Sequence, residues 1–454
     1  MGDRIKNTDI QVRVQNALWG LFIGDALAMP AHWYYRMENI KKDFDGGIRT
    51  YHVPPHPHPE SFMVGMTYHP AVETAKKLGR PFDILHDHAR FYHTSYSTLD
   101  ISSSEREEAH GNPVPTLADR YHYHHGLKAG ENTLAAHLVR VLIRSVIQRG
   151  RYEPESFIED FIVHMTTPGV NRDPYSEIYI RRWFENFSGG LPAHCCAELQ
   201  RNVWSIGSHG GVIRPLVVSL IAASGYQGLG LALEHQNLTH RSENVSSALG
   251  VLVPLLHTLL ESNDSNCTIS EYARQVRTPL INGEQLFESY RDHQGPGNIP
   301  DRQMWEFHTQ FGNVPFELNR LVQEKSGDEV VNRLFATACY PEHGVPLLFY
   351  FLRDHDARLE SALLANANSG GDSVHRGMIL GLLNVQEATH ADVLSGDELK
   401  GLVATSKQHG EIKHDKADML HNMFEFDQRY VGRVMIPRST ADVLDIAASG
   451  EESL

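Results

Sequence analysis

The stretch "DIQVRVQNALWGLFIGDALAM", Asp9–Met29, places apolar side chains three and four residues apart through Val12, Leu18, Leu21, Ile23 and Leu27. That spacing follows the 3.6-residue turn of a helix and not the two-residue repeat of a strand. Thr8 or Asp9 is placed to cap the start, and Pro30 closes the helix. The same period returns in "NTLAAHLVRVLIRSVIQRG", "PESFIEDFIVHMTT", "SEIYIRRWFENFSGG", "GGVIRPLVVSLIAASG", "QGLGLALEHQNLTH" and "SSALGVLVPLLHTLLES". It continues in "DEVVNRLFATACY", "GVPLLFYFLRDH", "RLESALLANAN" and "RGMILGLLNV". Alternating apolar and polar runs are scarce, so the expectation is an all-α fold. "GVLVPLLHTLL" is apolar on nearly every face, which suits the middle of a large compact helical bundle.

A chain of 454 residues can hold one large core or two to three domains. We expect a single helical domain over 1–395, with a His-rich inserted loop region at 38–120 and a polar C-terminal extension at 396–454. Loops as long as 38–120 are uncommon unless functional, and the aromatic content here opposes disorder. "DKADMLHNMFEF" reads as one further helix in the extension.

The apolar share of 41% and charged share of 21% are those of a globular protein. The net charge of −15 opposes attraction to nucleic acid or acidic membrane surfaces. No apolar run reaches the length of a membrane span, and the N-terminus carries no signal-peptide core. The four cysteines form no CxxC pair. These features imply a cytoplasmic protein without membrane or nucleic-acid partners. Of the 28 histidines, eleven fall between Tyr51 and His125, which raises the prospect of acid–base or metal chemistry.

Five motifs carry candidate chemistry. In "GLFIGDALAMPAHWYY", Asp25 is an acid inside an apolar helix and needs a partner, structural or ligand. His32 follows the Pro30 break, where side chains leave the bundle. In "YHYHHGLKAGENTLAAHL", Glu131 and Asn132 are expected in the first turn of a helix, where the dipole favours a carboxylate. His124 and His125 stand beside them, in a spacing that is no standard zinc signature. In "SIGSHGGVIRPL", the turn Gly207, Ser208, His209, Gly210 opens a helix whose free N–H groups suit phosphate. It lacks the context of a dinucleotide fingerprint. "NLTHRSE" reads as the end of one helix and the cap of the next. In "ANANSGGDSVHRG", Gly370 and Gly371 turn sharply into Asp372 at the mouth of a helix, and His375 follows one turn on.

In this order the five motifs resemble the ADP-ribosylglycohydrolase family over most of 16–384. The resemblance implies an all-α bundle with a central cleft that binds ADP-ribose and usually two Mg²⁺ ions. Members carry Thr-Asp-Asp at the helix opening, where this chain has Gly130, Glu131 and Asn132. They carry Asp-x-Asp-Thr after the double glycine, where this chain has Asp372, Ser373, Val374 and His375. They often carry a glutamate after the first motif, where this chain has His32. Mg²⁺ wants octahedral oxygen ligands. Two carboxylates in place of four are too few for a tightly held pair.

Three readings follow. The first is a divergent hydrolase of a ribosyl or nucleotide-type bond, with Glu131, Asp372, His375 and His32 as its acid–base set. Asp25, Asn132, Gly207, Ser208, His209, Gly210, Gly370, Gly371, His124 and His125 would then contact substrate. The second is another reaction at a rebuilt site, with at most one divalent metal on Asp372, Glu131 and His375. The third is a non-catalytic binder of ADP-ribose or a nucleotide. The partner is a small molecule or an ADP-ribosylated substrate. Nothing in the sequence indicates the oligomeric state.

Overall fold

The computed structural model describes residues 7–96, 120–222, 225–292 and 311–385. The C-terminal extension 396–454, with "DKADMLHNMFEF", lies outside the described residues. So does 97–119 of the inserted region.

The long helices are α1 (Asn7–Ala28), α2 (Leu134–Arg149), α3 (Pro154–Thr166), α4 (Ile178–Ser188) and α5 (Gly210–Ala222). They continue with α6 (Gly225–Asn237), α7 (Glu243–Glu261), α8 (Pro341–Asp354), α9 (Leu359–Ser369) and α10 (Ser373–Leu383). Among the described residues the strands are two to five residues long and pair as three two-stranded ribbons. An all-α bundle follows.

At its centre α10 lies along α1, buried at every one of its residues. The contact is backbone to backbone. A Cβ on Gly20 would stand 2.5 Å from the Gly381 carbonyl oxygen, and one on Gly377 would stand 2.6 Å from that of Gly24. Both glycine pairs are four residues apart, so each helix offers one smooth stripe. The pairing of Gly20 with Gly381 and Gly24 with Gly377 makes the helices antiparallel. The N-terminal end of α10, carrying Asp372, therefore meets the C-terminal end of α1, carrying Asp25. Helices α8 and α9 pack on this pair, while α5, α6 and α7 form an adjoining layer.

Among the described residues, α7 alone is long and apolar enough to cross a membrane by length and composition. Its Val245, Leu249, Leu252, Leu256 and Leu259 are buried in the core. At 19 residues it exceeds the expectation that no segment is that apolar.

Two expectations of local structure change. Helix α2 begins at Leu134 with Thr133 in the cap position, so Glu131 and Asn132 precede it. "DEVVNRLFATACY" forms only a single helical turn over Gly327–Val330. Asn332 takes φ +66°, and the chain beyond it runs irregularly. The backbone amides of this stretch are instead taken by side chains: Ala336 N–H donates to His343 Nδ1 at 3.0 Å and Thr337 N–H to Asn332 Oδ1 at 3.4 Å. The Thr337 carbonyl accepts from the Asp372 amide at 2.8 Å and from Arg376 Nη1 at 2.6 Å.

The inserted region, where described, holds short helices at Met37–Asp43 and Val72–Leu78 joined by turns. His58 ties it to the core, donating from Nε2 to the His32 carbonyl at 3.1 Å.

Candidate functional site

The double glycine sets the position of Asp372. Gly370 and Gly371 sit at φ +63° and +61°, a region that L side chains rarely adopt. A Cβ on Gly371 would collide with Thr337. The Trp33 amide donates to the Gly371 carbonyl at 2.7 Å, and the Gly371 amide to the Tyr34 carbonyl at 2.5 Å. Arg376, fully buried, donates to the Gly370 carbonyl at 2.6 Å and to Asn366 Oδ1 at 3.0 Å. The turn is thus held from three directions.

Three imidazoles surround the buried Asp372 carboxylate. His32 Nε2 stands 3.2 Å from Oδ1, His209 Nδ1 stands 3.1 Å from Oδ2, and His375 Nδ1 stands 2.6 Å from Oδ1. The His375 contact is close, but it lacks the alignment of a hydrogen bond. Two further acids close the group. His375 Nε2 lies 3.2 Å from Glu177 Oε1. His32 Nδ1 lies 2.7 Å from His124 Nε2, and His124 Nδ1 lies 2.9 Å from Asp173 Oδ1. A continuous file results: Asp173, His124, His32, Asp372, His375, Glu177.

The electrostatics follow from this packing. Burial raises the cost of charge on Asp372, yet the facing His375 with His209 and His32 holds its pKa well below the usual carboxylate range. Burial likewise opposes charge on His375, but the carboxylates of Asp372 and Glu177 push its pKa well above normal. Burial drives His32 down to about 3, so this ring is neutral.

Asp25 plays a different part. Its carboxylate accepts from Asn132 Nδ2 and the Thr133 amide, both at 2.8 Å, and from Thr133 Oγ1 at 2.6 Å. Burial raises its pKa. Asp25 and Asn132 therefore brace each other, with Arg140 donating to Asn132 Oδ1 at 2.6 Å.

Several expected residues turn elsewhere. Glu131 accepts from Arg172 Nη1 at 2.8 Å and from the Lys128 amide at 2.9 Å. It is outside the metal-capable group of His32, Asp372 and His375 found among the described residues. His125 packs against His56, Phe91 and Tyr121. The turn at Gly207–Gly210 is not a free anion cradle. The His209 amide donates to the Cys339 carbonyl and the Gly211 amide to that of Ser208. A Cβ on Gly210 would meet the Glu177 carboxylate at 2.7 Å, so that acid already sits at the mouth of α5.

Sequence reasoning missed Asp173, Glu177 and Arg376. The signal available was "NRDPYSE", Asn171–Glu177, a short linker with two acids around a proline. Asp173 also accepts from the Leu134 amide at 2.8 Å and so ties the opening of α2 to the cluster.

A cavity of about 10 Å³, the size of one water, lies against His32, Tyr175, Glu177, Val374 and His375. Trp33 stacks on His32 at 4.7 Å between ring centroids and adopts φ +66°, which is rare for a bulky residue.

The ADP-ribosylglycohydrolase family model matches residues 6–384. A solved structure titled "ADP-ribosylglycohydrolase-related protein complex" is 14% identical, with TM-score 0.43, covering 87% of this chain and 93% of that one. A stretch of 76 residues is 33% identical to UPF0053 protein YugS of Bacillus subtilis (strain 168), and the chain spans only 17% of that relative's length.

Proposed function

Because the chain belongs to the ADP-ribosylglycohydrolase family, we propose that it hydrolyses a ribosyl bond in a nucleotide-type or other small polar substrate through carboxylate–histidine chemistry. Family membership supports the hydrolase-like function. The observation that carries the finer reading is the Asp372 carboxylate ringed by three imidazoles, with Glu177 beside a water-sized cavity.

Glu177 is 13% exposed and lines that cavity, where it takes the proton of the attacking water. His375, held between Asp372 and Glu177, gives its proton to the leaving group. The buried Asp372 charge stabilises the cationic sugar as the glycosidic bond lengthens. His32, His124 and Asp173 orient the centre from the opposite side. The cavity is far smaller than a nucleotide, so substrate entry requires lining residues such as Tyr175 to give way.

The family's pair of Mg²⁺ ions does not fit this donor set. Octahedral Mg²⁺ requires oxygen ligands. Both Asp25 oxygens are taken by Asn132 and Thr133, Val374 has no donor, and the remaining neighbours of Asp372 are imidazoles. No step here runs through such a pair.

The test is incubation of the full chain with ADP-ribosylated peptides, O-acetyl-ADP-ribose and nucleosides, with products read by mass spectrometry. Release of free ribose or ADP-ribose from at least one supports the reading. Binding of ADP-ribose without turnover of any of them places the chain among non-catalytic binders.

A further inference from the structure

We propose that His32 Nε2, His375 Nδ1 and Asp372 Oδ1 bind one borderline divalent cation of the zinc class, in place of the family's pair of hard ions. This rests on the reading of the same centre as the hydrolytic one. It names the ion for the donor atoms gathered at Asp372 Oδ1.

His32 Nε2 lies 3.2 Å and His375 Nδ1 lies 2.6 Å from the same oxygen, Asp372 Oδ1. The far nitrogen of each ring is anchored from behind. His375 Nε2 lies 3.2 Å from Glu177, and His32 Nδ1 lies 2.7 Å from His124 Nε2, whose Nδ1 donates to the Asp173 carboxylate across 2.9 Å. His375 Nδ1 is buried and makes no aligned hydrogen bond, although it sits against that oxygen. Two imidazole nitrogens and one carboxylate oxygen thus converge on one point.

The dimensions suit a metal. The three donor atoms lie within 4.8 Å of one another. Bonds of about 2.0–2.2 Å to nitrogen and oxygen put neighbouring ligands roughly 3 Å apart, against 3.2 and 2.6 Å here. Two imidazoles and one carboxylate select a borderline transition ion over Mg²⁺. The surroundings are also those of a metal centre, where ligating histidines pass their second N–H to an acid. His375 is backed by Glu177, His32 by His124 and Asp173, and the free Asp372 oxygen by His209 at 3.1 Å. The water-sized cavity touches both histidines and leaves one coordination position open. A water bound there would lose its proton near neutral pH.

The full chain, dialysed against chelator, is titrated with Co²⁺ and read by visible absorption, then displaced with Zn²⁺. We expect one equivalent per chain, undisturbed by millimolar Mg²⁺. His32→Gln, His375→Gln and Asp372→Asn should each weaken binding at least about 100-fold, and Glu177→Gln about 10- to 100-fold. His86→Gln, outside the cluster, should leave binding intact. Thermal melts confirm that each variant is folded. The inference is overturned by no binding, by two equivalents, by Mg²⁺ outcompeting Zn²⁺, or by equal affinity in folded variants of all three ligands. Turnover that persists in chelator without bound Co²⁺ also overturns it and leaves the hydrolase reading standing. Binding without any turnover does the reverse.

Discussion

Asp372 owes its charge to its neighbours and its position to the backbone. Three rings face its oxygens, while Arg376 and Thr337 pin the turn that presents it. Arg376→Met would leave the Gly370 carbonyl and Asn366 Oδ1 without their donor. The cost is at least about 2 kcal/mol, since a stranded buried acceptor loses its full solvation. Denaturant titration checks this. Thr133→Val removes the 2.6 Å bond to the buried Asp25 carboxylate and should destabilise by about 1–3 kcal/mol, on the same measurement. Residues such as Asp372, His375 and His32 were legible as site candidates because their motif positions are recognisable. Glu177 and Asp173 were not, because the linker that carries them has no periodicity and meets the cluster only after folding. Glu131 has the right chemistry and the right neighbours in sequence, yet Arg172 draws it aside.

At the scale of elements, the glycine contact between α1 and α10 decides where the two ends of the site meet. Gly20→Ala would press a methyl to 2.5 Å from the Gly381 carbonyl oxygen. The helices must then part, at a cost of about 1–3 kcal/mol. The shift should also weaken any activity, since Asp372 begins α10. A melt that matches wild type would show that the contact is loose. The helices themselves were readable from periodicity, with boundaries within a few residues for most. The expected helix over "DEVVNRLFATACY" failed for a reason beyond periodicity. Its apolar residues Phe335, Ala336 and Cys339 are buried as a helix pattern would suggest. The amides of Ala336 and Thr337, however, are taken by the side chains of His343 and Asn332, and those bonds override local propensity.

Across the whole molecule, buried acids tie stability to pH. Glu342 lies wholly buried at the start of α8, with Oε1 unpaired among the described residues, and burial raises its pKa to about 8. The folded state therefore holds this proton more tightly than the unfolded chain, whose carboxyl titrates near 4.5. The associated stability is full below about 4.5 and is lost as pH rises through about 8. Glu342→Gln should flatten that decline, seen as melting temperatures that change less between pH 5 and 8.5 than in wild type.

The central claim is that one His–carboxylate cluster around Asp372 performs hydrolysis with Glu177 as the proton acceptor. Steady-state kinetics of Glu177→Gln on the best ribosyl substrate test it most directly. The account predicts that kcat falls roughly 100- to 10,000-fold while KM and the melting temperature stay near wild type. A variant that turns over at the wild-type rate would contradict it.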